Sequence, residues 1–173
     1  MPNTYTQLYV HIVFAVKGRQ NIIPPQHKAE LHKYITGIVQ RRHYKLISIN
    51  NMPDHMHIFV GMNPDMALSD LVRDVKAGST NFINKEGWFK GRFCWQEGYG
   101  AFSYAHSQIA VVAQYIENQE KHHAKRSFKE EYLDMLKKFN VDFNEKYLFE
   151  WVDDTPAVAP DGASSFVHTF FYR

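Results

Sequence analysis

The chain has 173 residues, of which 45% are hydrophobic and 22% charged, with a formal net charge of +2. That is the length of one domain with a substantial core, since a chain of about 150 residues hides roughly 70% of its unfolded surface, and the composition excludes a disordered or membrane-embedded chain because no apolar run approaches the roughly 20 residues of a span. The single cysteine, Cys94, excludes an internal disulfide and a Cys-based zinc site, and Met1-Pro2-Asn3-Thr4-Tyr5 has no signal-peptide character, so a cytoplasmic location is expected.

The charge is uneven. Residues 1–53 carry seven Lys or Arg against one acid, Glu30, while the acids gather in the C-terminal third. A basic N-terminal third suits a phosphate-binding surface, and solvated helix faces would account for it equally well.

Residues 4–16 alternate, with Leu8, Val10, Ile12 and Phe14 on one face, which predicts a strand. After Pro24-Pro25, a suitable helix opening, Leu31, Tyr34, Ile35, Ile38 and Val39 recur at helical spacing up to about Arg42. Residues 44–52 read as a second strand, and Pro53-Asp54 turns the chain into a third, Asp54-His55-Met56-His57-Ile58-Phe59-Val60. Leu68, Leu71, Val72, Val75 and Phe82 predict a helix over 67–84, opened by Ser69 or a neighbour as cap. Residues 92–104 are aromatic-rich with Gly98 and Gly100 inside, a pattern that suggests a strand broken by a bulge.

Strand, helix, strand, strand, helix, strand is the order of the split βαβ unit. It predicts an α+β, ferredoxin-like fold: a four-stranded antiparallel sheet, first and third strands central, with two helices on one face. Ser107 is a candidate cap for a further helix to about His122, with Ile109, Ala113 and Ile116 on one stripe and Gln108, Val112, Tyr115, Gln119 and His122 on another. Ser127-x-x-Glu130 is a capping box for a last helix over 127–139. Residues 143–151 are ambiguous. One domain is expected over 1–152, and residues 153–173, rich in Asp, Pro, Ala, Gly and Ser before an apolar end, are expected to be a flexible tail of unknown role.

The third strand holds the chemistry. Side chains alternate across a strand, so His55 and His57 share one face while Met56, Ile58 and Val60 share the other and can bury against helices. Two imidazoles on one face suit a divalent metal that finds a further ligand elsewhere. Taken alone, a His-x-His pair is more often satisfied by ordinary hydrogen bonds. His11, on the neighbouring strand, is as readily an ordinary strand histidine as a partner to the pair, and His122 and His123 could touch phosphate or metal, although solvated helix-end histidines are the commoner case.

Asp54-His55-Met56-His57-Ile58, followed about sixty residues later by Tyr115-Ile116-Glu117-Asn118-Gln119, with Trp95-Gln96-Glu97-Gly98-Tyr99 between them, resembles the single-domain HUH transposases with one catalytic tyrosine, of the insertion-sequence 200/605 group. The resemblance covers roughly residues 4–151. It implies that Tyr115 is the nucleophile, that His55, His57 and Gln119 bind Mg²⁺ or Mn²⁺, and that the additional C-terminal helix is the catalytic one. It also implies a substrate of single-stranded DNA with hairpin ends, a covalent 5′-phosphotyrosine intermediate and a homodimer. A tyrosine hydroxyl ordinarily ionises near pH about 10, so this one needs help that the sequence does not identify.

Arg41, Arg42, Arg73, Lys76 and Arg92 are candidate contacts to the DNA backbone. Trp88, Phe89, Phe93, Trp95 and Tyr99 could stack on unpaired bases, although core packing is the commoner use of such residues. Two other readings are a domesticated relative that processes chromosomal hairpins by the same chemistry and a non-catalytic RNA- or single-stranded-DNA-binding module. A histidine-triad hydrolase is disfavoured because Phe59 stands where its third histidine would be. A closed structural zinc site would need more Cys or His ligands than these.

Overall fold

The structure, a computed structural model, describes residues 5–18, 23–123 and 126–151. The proposed tail and its boundary at 152 lie outside the described residues. Four strands form one antiparallel sheet in the order β2-β3-β1-β4, where β1 is Tyr9–Ala15, β2 Lys45–Asn51, β3 His55–Gly61 and β4 Gly100–Tyr104. The first and third strands are central, as the split βαβ order implies. Their register sets Ala15 opposite His55, Val13 opposite His57 and His11 opposite Phe59.

Period-two alternation decides what each face meets. Val10, Ile12 and Phe14 of β1 and Met56, Ile58 and Val60 of β3 form a core with Leu31, Ile35, Ile38 and Val39 of α1 (Lys28–Arg41) and Leu71, Val72, Val75 and Ile83 of α2 (Leu68–Glu86). Burying each such side chain fully contributes about 1.5–3 kcal/mol. This core anchors both central strands from one side.

The opposite face carries the histidines, and it is covered too. Val112 and Ile116 of α3 (Ile109–Glu117) pack on Phe59. Phe128, Tyr132, Met135 and Leu136 of α5 (Phe128–Lys138), together with Phe149, pack on Val13, Ala15 and Phe102. Between them lies the short α4 (Gln119–His123). The fold is therefore three layers, helices, sheet and helices. α5 opens on the capping box legible in the sequence: the Glu130 N–H donates to the Ser127 hydroxyl at 3.3 Å, and the Ser127 N–H donates to the Glu130 carboxylate at 3.0 Å.

Several expected boundaries differ. β1 starts at Tyr9, so Leu8 falls outside it and is 48% exposed. The expected strand over 92–104 shrinks to Gly100–Tyr104 plus a single bridge between Val16 and Trp95, because Phe93 and Trp95 turn into the helix-side core and Gly98 takes φ +75°. α2 begins after Ala67 in extended conformation with no side-chain cap, and Ser69 is already within the first turn. Ser107 sits inside a 3-10 turn, His106–Gln108, rather than capping α3. The single helix expected from 107 to about 122 is interrupted at Asn118. Among the described residues, no helix is long and apolar enough to cross a membrane.

Two glycines give opposite expected results on stability. A Cβ on Gly100 would lie 2.8 Å from the ring and hydroxyl of Tyr132, a stiff side chain wedged under α5. Gly100→Ala is therefore expected to cost about 1–3 kcal/mol. Gly37, within α1, has open space around the added atom, and Gly37→Ala should gain about 0.5–1 kcal/mol. Urea unfolding of both variants checks the signs.

Candidate active site

His55 and His57 are fully buried on the second face of β3. Each has one ring nitrogen engaged and one free. The His55 Nδ1–H donates to the Asp54 carboxylate at 2.6 Å, which leaves Nε2 unpartnered. His57 Nδ1 lies 2.9 Å from His11 Nε2, its diagonal neighbour across the β1–β3 pair, and its Nε2 is unpartnered as well. With His11 accepting, His57 presents a lone pair at Nε2. A hydrogen bond to one ring nitrogen that aims the other is the usual support of a metal-binding histidine. His11 is thus the partner of the pair and not an ordinary strand histidine.

The elements above this face add further groups. α3 ends where the buried Asn50 of β2 donates from Nδ2 to the carbonyls of Ile116 at 2.7 Å and Glu117 at 3.3 Å, supplying partners for two of the carbonyls that a helix end leaves over. The chain then restarts as α4, and Gln119 turns inward, fully buried, with Oε1 unpartnered. One turn later His123 reaches the same space.

At its centre is Glu131 of α5, only 5% exposed. Its Oε1 accepts from the Tyr115 hydroxyl and, at 3.1 Å, from Gln119 Nε2. Its Oε2 lies 2.8 Å from His123 Nε2, at angles that make no hydrogen bond, and 3.8 Å from His55 Nε2. His57 Nε2 stands 3.9 Å from Oε1. One ligand atom from each of His55, His57, His123 and Glu131 fits within 4.8 Å of the others. Five buried polar atoms without hydrogen-bond partners, the three Nε2 atoms, Gln119 Oε1 and Glu131 Oε2, are therefore gathered in one place. Leaving one such atom unsatisfied costs about 1–3 kcal/mol, and a divalent cation would satisfy the four from His55, His57, His123 and Glu131.

The electrostatics of the histidines agree with that fit. Burial, with the His55 charge adding, lowers His11 to about 3 and His123 to about 4, and burial drives His57 well below its ordinary value. These imidazoles are neutral donors near neutral pH, the form that binds metal. Burial, with Asp54 nearby, pushes Glu131 up to about 8. Burial opposes ionisation of Asp54 too, but the hydrogen bond and charge of His55 outweigh it and hold that carboxyl below its usual value.

Tyr115 stands with His57 at 6.4 Å between ring centroids, within one chain. A cavity of about 410 Å³ between α3 and α5 reaches it, lined among others by Tyr104, Gln108, Arg126 and Lys138, and a second of about 220 Å³ opens on His122 and His123. Tyr115 lines both.

The basic residues singled out in the sequence lie elsewhere. Arg41, Arg42, Arg73 and Lys76 belong to the helix layer on the far face of the sheet, and Arg92 is exposed in the loop after α2. Arg42 pairs with Asp74, Arg73 with Asp70 at 2.6 Å, and Lys76 holds the loop carbonyls of Gln96 at 2.5 Å and Gly98 at 2.8 Å. Phe93 and Trp95 are core residues, Trp88 stacks on His27, and Tyr99 remains 37% exposed.

Sequence reasoning passed over Glu131 and undervalued His123. A signal existed for each. Glu131 falls within the apolar stripe of Phe128, Tyr132, Met135 and Leu136, where a carboxylate has no reason to be unless something pairs with it. His123 follows Gln119 by four residues, one turn along the same face.

Comparison with known proteins gives consistent results. The profile of the family described as "Transposase IS200 like" matches residues 4–119. The ISDra2 transposase TnpA of Deinococcus radiodurans is 26% identical over 119 residues, covering 65% of this chain and 84% of its own. A crystal structure described as a candidate transposase from D. radiodurans R1 superposes with a TM-score of 0.53 at 24% identity, over 69% of this chain and 95% of that one. A REP-associated tyrosine transposase, solved bound to a REP hairpin, superposes with a TM-score of 0.54 at 16% identity, over 71% of this chain and 73% of that one.

Proposed function

Because the chain belongs to the IS200-like transposase family, whose members cleave DNA, we propose that it cuts and rejoins single-stranded DNA at hairpin-marked ends, using Tyr115 as nucleophile. The observation that carries this reading is the meeting of the Tyr115 hydroxyl, the free nitrogens of His55 and His57 and the Gln119 side-chain amide around one buried carboxylate. His55, His57 and Gln119 would hold Mg²⁺ or Mn²⁺. When bound, the ion supplies Lewis acidity and a template for in-line displacement at phosphorus.

The chain's own part is positioning. Asn50 ends α3 so that Tyr115 faces the sheet and Gln119 turns in, Asp54 and His11 aim the two imidazoles, and Glu131 accepts the tyrosine hydroxyl. As the Tyr115 oxygen bonds to phosphorus, the bond from phosphorus to the 3′ oxygen breaks. One fragment leaves with a 3′-OH and the other stays on the protein as a 5′-phosphotyrosine. No water is consumed, so the phosphoester is kept for rejoining. The hairpin-bound relative supports hairpin DNA as the substrate class.

Single-stranded oligonucleotides carrying hairpins from the flanks of its own gene, incubated with the protein and Mn²⁺, test this on a denaturing gel. A covalent protein–DNA band that EDTA removes is the expected result. Tight binding with no such band on any flank would leave a passive nucleic-acid-binding module. The groups named above lie in one chain, so each copy is expected to carry its own complete site even if two copies associate. Mixing His55→Ala with Tyr115→Phe protein should then restore no cleavage, whereas recovery would mean that Tyr115 serves the metal site of a partner in a homodimer.

A further inference from the structure

We propose that Glu131 links the metal to the nucleophile, with Oε2 a metal ligand beside His55, His57 and His123 while Oε1 accepts the hydrogen bond of the Tyr115 hydroxyl. The proposal rests on the transposase reading and extends it to two residues, His123 and Glu131, that lie beyond the span matched by the family profile.

Three observations carry it. First, the ligand geometry is already assembled: one atom from each of the four side chains lies within 4.8 Å of the rest, a span that a single ion bridges at ordinary metal–ligand distances. Second, Glu131 Oε2, His123 Nε2, His55 Nε2 and His57 Nε2 all lack hydrogen-bond partners although they are buried. A carboxylate set at 5% exposure among Phe128, Tyr132 and Met135 is costly unless a cation compensates it, and the groups around it besides its neutral donors Tyr115 and Gln119 are imidazoles. Third, the two oxygens of Glu131 face different partners. Oε1 meets Tyr115 and Gln119, and Oε2 faces His123 and His55. One carboxylate can therefore hold the ion and the attacking hydroxyl at a fixed separation.

The donor set has a consequence for the ion. Beside the Gln119 carbonyl, three imidazole nitrogens and one carboxylate favour transition ions, whereas Mg²⁺ prefers oxygen ligands and retains its waters. Mn²⁺ is accordingly expected to bind the metal-free protein more tightly than Mg²⁺.

Calorimetric titration of MnCl₂ into the full-length, metal-free protein tests the ligand set. Glu131→Gln and His123→Ala should each weaken Mn²⁺ binding by about tenfold or more, in line with the loss of a ligand or its support. Thermal melts of the metal-free variants check that they remain folded. Pulsed electron paramagnetic resonance of the wild-type Mn²⁺ complex provides a check that needs no variant: three directly bound imidazole nitrogens are expected, and two would remove His123 from the set. The link to the nucleophile is read at Mn²⁺ concentrations that saturate each variant. There His123→Ala should recover adduct formation and Glu131→Gln should not, because the Tyr115 hydroxyl then faces a neutral amide that cannot take up its proton in place of a carboxylate.

Each failure has its own signature. If both variants bind Mn²⁺ like wild type while His55→Ala does not, Glu131 and His123 are not ligands and the transposase reading stands. If saturated Glu131→Gln forms adduct at the wild-type rate, the link to Tyr115 is overturned. If the wild-type protein neither binds Mn²⁺ nor forms an adduct, the underlying reading fails as well.

Discussion

Tyr115→Phe is expected to abolish the covalent protein–DNA adduct and to lower strand cleavage by about 10⁴-fold or more, the scale seen when a catalytic nucleophile is removed. The substitution deletes one oxygen and leaves the ring. It keeps the ring contacts of Tyr115 with His57 and His122 available, and Gln119 Nε2 still donates to Glu131 at 3.1 Å. Mn²⁺ affinity should therefore be unchanged. Denaturing gels for the adduct and calorimetry for the metal measure the two quantities separately. A variant that still cuts at a substantial rate would mean that water or another residue attacks the phosphorus.

His57→Ala is the second large effect. It removes a fully buried imidazole whose Nε2 points at the ligand cluster and whose Nδ1 engages His11. Mn²⁺ binding should fall by more than the roughly 10–100-fold typical of losing a group that only supports a ligand, and adduct formation should fall with it at any accessible Mn²⁺ concentration. Asp54→Ala provides the graded comparison. It removes the acceptor of the His55 Nδ1–H but no ligand atom, so its loss should stay within about 10–100-fold and be partly restored by excess metal. Equal losses in the two variants would indicate that His57 supports packing rather than the ion.

The parts of this molecule that were legible in the sequence are those fixed by local periodicity. Alternation through Val10, Ile12 and Phe14 and through Met56, Ile58 and Val60 already separates the helix-side core from the face that carries the histidines. Ser127 and Glu130 announce the start of α5 by a local hydrogen-bond pattern. The four-strand order follows from the element order.

What was not legible depends on partners far along the chain. α3 stops at Glu117, where Asn50, more than sixty residues earlier, meets its last carbonyls, and the lone Asn118 at its C-cap is too weak a local signal to announce that break. The strand expected over 92–104 is cut short because Phe93 and Trp95 find more to bury in the helix-side core, beside Phe14, than a sheet edge would offer. Lys76 is drawn to the carbonyls of Gln96 and Gly98, which its position on an exposed-looking helix stripe does not reveal. Glu131 is the most instructive case. Periodicity puts it on the buried stripe of α5, but only the fold brings that stripe over the two strand histidines and Tyr115.

The most direct measurement is to trap the product of the protein with a hairpin-bearing single strand and Mn²⁺, digest it, and locate the attached nucleotide by mass spectrometry. The expected result is a 5′-phosphate ester on the Tyr115 peptide and a released fragment ending in a 3′-OH. Cleavage that leaves no nucleotide on the protein, or an attachment at any residue other than Tyr115, would contradict the assignment of Tyr115 as the nucleophile.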